Sequence, residues 1–271
     1  MNEVGKLKFD VLSYEEVVDL LSWTVFESEG ALPLRDATFD LYPQLAEINE
    51  YLEKSKDDKE KVYELIFEDL QKFYQKYLTH SKKMVKRYGL IWEPFNDDYI
   101  NALCKCFNMD WPSDLEEITA LIGRVPVCPR FIKDKKFYIG FYDADTIVDI
   151  CMHELCHFIF FAKCKELFPR MKIDTDNKSL FWFLSEIKID PVLNKNEFKK
   201  IFKHKFKSYD VFYNVRFGNE LLMDKIRLFF ANSHIDEAIK ESYEYLQKHE
   251  YSFRKQCGDF EKDEIIEVRM D

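Results

Sequence analysis

At 271 residues, with 46% hydrophobic and 16% aromatic side chains, the chain can bury a substantial core and is too apolar to be disordered. A net charge of −10 argues against general nucleic-acid binding, which needs clustered Lys and Arg, and no apolar run is long enough to span a membrane. Seven Gly and eight Pro are few for an all-β chain built on tight turns, so the expected fold class is α+β, predominantly helical, with a small sheet.

In chain order, residues 1–123 read as helices separated by short polar breaks, and no signal peptide follows Met1. Residues 14–28 carry Val17, Val18, Leu20, Leu21 and Trp23, and the charged stretch 53–60 reads as a solvated turn. Beyond it Val62, Leu65, Ile66, Leu70, Phe73, Tyr74 and Tyr77 trace a helical stripe, and residues 101–108 and 113–122 read as two more helices. A boundary is expected near Gly123, with a helical N-terminal part before it and a second domain over 124–271; one continuous domain is the alternative.

A strand region follows, broken by Pro126 and Pro129 and then clear over 135–142, where Phe137, Ile139 and Phe141 alternate with Tyr138, Gly140 and Tyr142. Asp143 or Asp145 offers an N-cap to a helix that is apolar nearly all round, from Ile147 to Phe161. Inside it lies His153-Glu154-Leu155-Cys156-His157. Residues four apart share a helix face, so the two imidazoles can bind one Zn²⁺ while Glu154 reaches the water beside it. An ordinary helix with two incidental His is the competing reading, but His and Glu in so apolar a helix are costly unless something satisfies them.

A catalytic zinc usually takes three protein ligands. Downstream, residues 179–190 read as a second apolar helix with Glu186 and Asp190 on one face. Over 135–190 the chain resembles the gluzincins, the thermolysin-like zinc metallopeptidases, in which HExxH is completed by a Glu on a later helix. The resemblance implies a zincin-like domain over 124–271 with His153, His157 and Glu186 as zinc ligands, Glu154 as general base, and Asp190 holding a zinc-binding His, His153 first. Asp176 is the alternative third ligand, as in aspzincin-type sites; Glu166 lies too far along the first helix and Asp174 in an exposed turn. Pro191 should end or kink the second helix at Asp190.

Gluzincins also place a Tyr, His or Arg where the oxyanion develops, for which the candidates are Tyr209, Tyr213, Arg216 and His234, with Tyr213 and His234 carried forward. Tyr138 and Gly140 are candidates for binding extended substrate along a strand edge, against an internal core strand. Residues 195–207 form a Lys-rich run with His204, either a solvated face or a patch that steers acidic peptides. Residues 196–206, 219–230 and 234–249 read as helices, and the acidic tail 259–271 carries a β-like piece at 265–268. Seven Cys without a CxxC pair suit reduced thiols in the cytoplasm, with Cys156 as a small buried residue. The expectation is a cytoplasmic zinc metallopeptidase acting on peptides or proteins, with no nucleic-acid or membrane partner. A zinc site kept for folding or partner binding, and a metal hydrolase acting on a non-peptide amide or ester, are its rivals.

Overall fold

Lys6, Lys8 and Asp10 alternate with Leu7 and Phe9, and this short pattern, inside the part expected to be helical, forms the first strand of the only multi-stranded sheet beyond a hairpin among the described residues. In the computed structural model, which describes residues 5–26, 32–45, 47–48, 51–52 and 58–258, β1 (Lys6–Val11) pairs in parallel with β2 (Glu117–Ile122). β2 pairs in parallel with β4 (Lys136–Ile139), and the two-residue β3 (Arg130–Phe131) lies antiparallel on the outer side of β4. The order is β1-β2-β4-β3.

β2 corrects the expectation of a helix over 113–122. A central parallel strand is covered on both faces, so its apolar residues run nearly unbroken, and a short run of that kind has no period to separate it from a buried helix. The sheet also runs across the expected junction at Gly123, with β1 and β2 before it and β3 and β4 after, so the junction is not a break in the fold.

The sheet separates two cores. Ile118, Ala120, Ile122, Phe137 and Ile139 face one, and Leu121 and Tyr138 face the other. The smaller core is closed by α1 (Tyr14–Phe26), α2 (Leu32–Leu41) and the first half of α3 (Lys59–Trp92), through Val18, Leu21, Leu41, Val62, Ile66 and Leu70. Asp58 caps α3 by accepting the Lys61 N–H at 3.0 Å, and its 34 residues extend about 51 Å. Its far end therefore reaches the larger core, where Tyr88 and Trp92 are buried with α4 (Asn96–Phe107) and α5 (Ala144–Leu167).

The rest of the larger core comes from α6 (Leu180–Ile187), α7 (Ile189–Leu193), α8 (Asn196–Lys199), α9 (Asp210–Asn214), the hairpin β5 (Arg216–Phe217) and β6 (Glu220–Leu221), and α10 (Leu222–Asn232), α11 (Ile235–Lys248) and α12 (Glu250–Cys257). The helix expected over 196–206 ends at Lys199, and residues 202–209 have no regular structure. Among the described residues no helix is long and apolar enough to cross a membrane. Residues 27–28, 53–57 and the tail 259–271 with its β-like piece lie outside the described residues.

Candidate metal centre

α5 starts where its sequence directs. The Asp143 carboxylate accepts the Thr146 N–H at 2.9 Å, and no Gly or Pro interrupts the chain until Pro169. The helix buries nearly its whole circumference, including Glu154 and His157. Two side chains pin it beside the motif: the Tyr99 hydroxyl of α4 donates to the Met152 carbonyl, and Lys188 Nζ donates to the Cys156 carbonyl at 3.1 Å and touches Cys156 Sγ at 2.8 Å. Lys188 is itself buried between the rings of Phe107 and Phe160, and burial lowers its pKa. The rings of His153 and His157 stand 4.6 Å apart on one face.

α6 brings the carboxylate. Ser179 caps it by accepting the Trp182 N–H at 3.1 Å, and its apolar face carries buried Glu186 to the imidazoles. Glu186 Oε2 lies 3.4 Å from His153 Nε2 and 3.5 Å from His157 Nε2. Three ligands each 2.0–2.1 Å from one Zn²⁺ at tetrahedral angles would lie about 3.3–3.4 Å from one another. The Glu154 carboxylate is also near, since one ligand atom each of His153, Glu154 and His157 fall within 4.8 Å. Glu154 completes the His-Glu-His cluster by proximity, whereas Glu186 Oε2 approaches both Nε2 atoms at a ligand-to-ligand distance, which makes Glu186 the candidate third ligand.

The other Glu186 oxygen, Oε1, receives the Arg130 guanidinium at 2.6 Å, and Arg130 also reaches Ser185 Oγ at 3.2 Å and Glu154 Oε2 at 3.8 Å. Burial opposes the charge on Glu186, yet it is held well below the usual carboxylate range. Burial also pushes His157 well below the usual imidazole range, with Arg130 adding to the effect, so His157 is neutral and Arg130 is the charge that keeps Glu186 ionised. Burial raises the Glu154 carboxyl, and Arg130 acts against that.

Both ring nitrogens of His157 and Glu154 Oε2 are buried without a hydrogen-bond partner. Each such group costs about 1–3 kcal/mol when left unpaired. The 3.5 Å approach of Glu186 to His157 lacks hydrogen-bond alignment and does not relieve that cost. Two imidazoles and an ionised carboxylate, converging around orphaned polar atoms, fit a divalent zinc ion.

Other expected residues lie elsewhere. Asp190 does not meet a zinc-binding His: its carboxylate accepts the Tyr213 hydroxyl at 2.6 Å and Arg227 Nη2 at 2.7 Å. The cause is the break at Lys188, after which Asp190 and Pro191 belong to α7. Pro191 has no N–H for the Ile187 carbonyl, and the Ser208 hydroxyl takes that place at 2.8 Å, with the Glu186 carbonyl 3.0 Å away. Asp190→Ala is therefore expected to leave zinc affinity within about threefold, outside the 10–100-fold loss of a ligand-orienting partner, and to lower stability by about 1–3 kcal/mol through Arg227 and Tyr213. Calorimetric zinc titration beside a urea melt checks both; a tenfold loss of affinity would restore Asp190 to the site.

Tyr213 is consumed by Asp190 and by the Ser208 N–H, and His234 is the exposed N-cap of α11. Asp176 is an exposed turn residue 4.0 Å from Lys133. Tyr138 lies in the interior strand β4, its N–H bonded to the Pro129 carbonyl at 2.9 Å, and the edges of the sheet are β1 and, beside β4, β3. Gly140 gives room to the Tyr142 ring, which would stand 3.0 Å from a Cβ there.

His153 and Glu154 open onto a cleft of about 340 Å³ lined also by Cys128, Arg130, Asp149, His204, Lys207 and Tyr209. Neither Tyr213 nor His234 lines it. Comparison of the chain with family models, with curated proteins and with solved structures finds no significant match. Arg130 and Asp149 carry no local sequence signal as site residues, and His204, expected only as part of the basic run, lies 3.3 Å from Asp149. The partners of Arg130 lie 24 to 56 positions further on, a separation that no local pattern records.

Proposed function

We propose that the protein is a zinc-dependent metallopeptidase of gluzincin type, acting in a reducing compartment such as the cytoplasm. The observation that carries this is the placement of Glu186 Oε2 at 3.4 and 3.5 Å from the Nε2 atoms of the HExxH imidazoles. His153, His157 and Glu186 hold the ion. When bound, zinc supplies Lewis acidity, drawing electrons from a carbonyl and making water a stronger acid.

The protein's own groups supply the rest. Glu154, buried at the cleft and with Oε2 free of hydrogen bonds, takes a proton from attacking water and delivers it to the leaving amine. Arg130 positions Glu186 by holding Oε1, which leaves Oε2 for the metal. Among the four candidates for the oxyanion, Tyr209 alone lines the cleft, stacked on Trp182. β3 offers a sheet edge for an extended peptide, and Arg130 sits on it. The opening of His153 and Glu154 onto a cleft supports a catalytic rather than a structural zinc, whose four positions are closed. Seven free thiols suit a reducing compartment.

Elemental analysis should return one zinc per chain. Glu186→Ala should weaken zinc binding more than about 100-fold, beyond the loss of an outer partner, and Asp176→Ala should leave it intact. Loss of metal from the Asp176 variant and retention by the Glu186 variant would overturn the ligand set. An unbiased peptide-library digest, with and without chelator, tests the activity; an undigested library with zinc bound would overturn the peptidase reading.

A further inference from the structure

Residues 202–209 border the cleft without regular structure, yet they are fastened at two points. The Asn194 side chain brackets Phe206, donating to its carbonyl at 2.8 Å and accepting its N–H at 3.1 Å. The Ser208 hydroxyl is held by the carbonyls at the end of α6, and its N–H donates to the Tyr213 hydroxyl at 3.1 Å. Phe206 and Ser208 are buried, whereas Lys205 and Lys207 between and beside them are exposed, the alternation of an extended chain. The result is a fixed wall: His204, Phe206, Lys207 and Tyr209 line the cleft that holds His153 and Glu154.

The charges on this wall are unspent. Lys199, Lys203 and Lys205 line a second hollow beside it, with His204 common to both. Among the described residues none of Lys199, Lys200, Lys203, Lys205 and Lys207 has a carboxylate within 4.0 Å, whereas Lys61, Lys72, Lys136 and Lys163 each have one. Two carboxylates also line the cleft, Glu154 and Asp149, the latter with Oδ2 3.3 Å from His204 Nε2. A cluster of unpaired lysines on a chain of net charge −10 makes a local positive field, and a cleft concentrates such a field.

We propose that this lysine wall selects acidic peptides, binding Asp or Glu side chains of an extended substrate whose scissile bond lies over Glu154. The proposal rests on the peptidase reading for the cleavage step, but the wall is testable apart from it. Fluorescein-labelled peptides of one length, carrying a central cluster of Glu, of Gln or of Lys, are titrated by anisotropy into zinc-loaded Glu154→Gln protein. The Glu peptide should bind about tenfold more tightly than the Gln peptide at low salt, and the advantage should vanish near 0.5 M salt, where screening acts within roughly 4 Å. Lys205→Glu/Lys207→Glu should remove the preference, and the milder Lys205→Gln/Lys207→Gln should reduce it with zinc content unchanged. Equal binding of the three peptides, or a preference unmoved by both double variants, overturns the proposal, as does tighter binding of inorganic polyphosphate of matched charge. Wild-type, zinc-loaded protein is then given the same peptides. Cleavage with no acidic preference overturns the wall and leaves the peptidase reading standing; acid-selective binding with no cleavage of any peptide supports the wall and overturns the peptidase reading.

Discussion

Glu154→Gln should lower peptide hydrolysis by about 10²–10⁴-fold while leaving one zinc per chain, the loss expected when a general base is removed. Gln has the shape of Glu but its amide accepts no proton. Arg130 lies 3.8 Å from Glu154 Oε2, but it is always protonated and cannot serve as a base. The exchange also removes a buried charge without a hydrogen-bond partner, so the fold should be no less stable. Steady-state rates with elemental analysis and a urea melt test all three parts. A near wild-type rate removes Glu154 from the chemistry, and a loss of zinc makes it a ligand.

The second large effect is on stability. Arg130→Met should destabilise the zinc-free protein by about 3–5 kcal/mol, because it leaves Glu186 as a buried charge with a neutral His157 beside it. Zinc supplies positive charge at the other carboxylate oxygen, so the loss should be markedly smaller in the loaded protein. Urea midpoints with and without zinc give the comparison. An equal loss in both states would mean that Arg130 acts by packing on Trp182, whose ring it faces at 6.0 Å. Adding Glu186→Gln should recover most of the zinc-free loss, as a double-mutant cycle on a charge pair requires.

How much of this was legible in the sequence follows the range of each interaction. His153 and His157 share a helix face by spacing alone, and Glu186 stood out as a charge in an apolar helix; the structure brings the three together. The spacing puts Asp190 one turn beyond Glu186, but the helix breaks at Lys188 between them, and Pro191, just past Asp190, frees the Ile187 carbonyl on which Ser208 docks. β1 carries a readable alternation inside the part expected to be helical, while β2, buried between two parallel neighbours, carries almost none. The segment 196–206 has helical spacing in Phe198, Ile201 and Phe202, yet its second half is pulled straight by Asn194, a contact that spacing cannot show.

The hydroxyl of Tyr99 and the ammonium of Lys188 bind carbonyls four residues apart, at Met152 and Cys156, one position before each histidine. They come from α4 and from the turn between α6 and α7, so α5 cannot roll about its axis without breaking both. The backbone that carries both imidazoles is thus fixed in the fold itself, so part of the entropy of assembling a ligand set is lost during folding rather than on metal capture. An ion entering such a site rearranges little, so its release should be slow for a ligand set of only three residues, and the zinc-free and zinc-loaded folds should superimpose around α5.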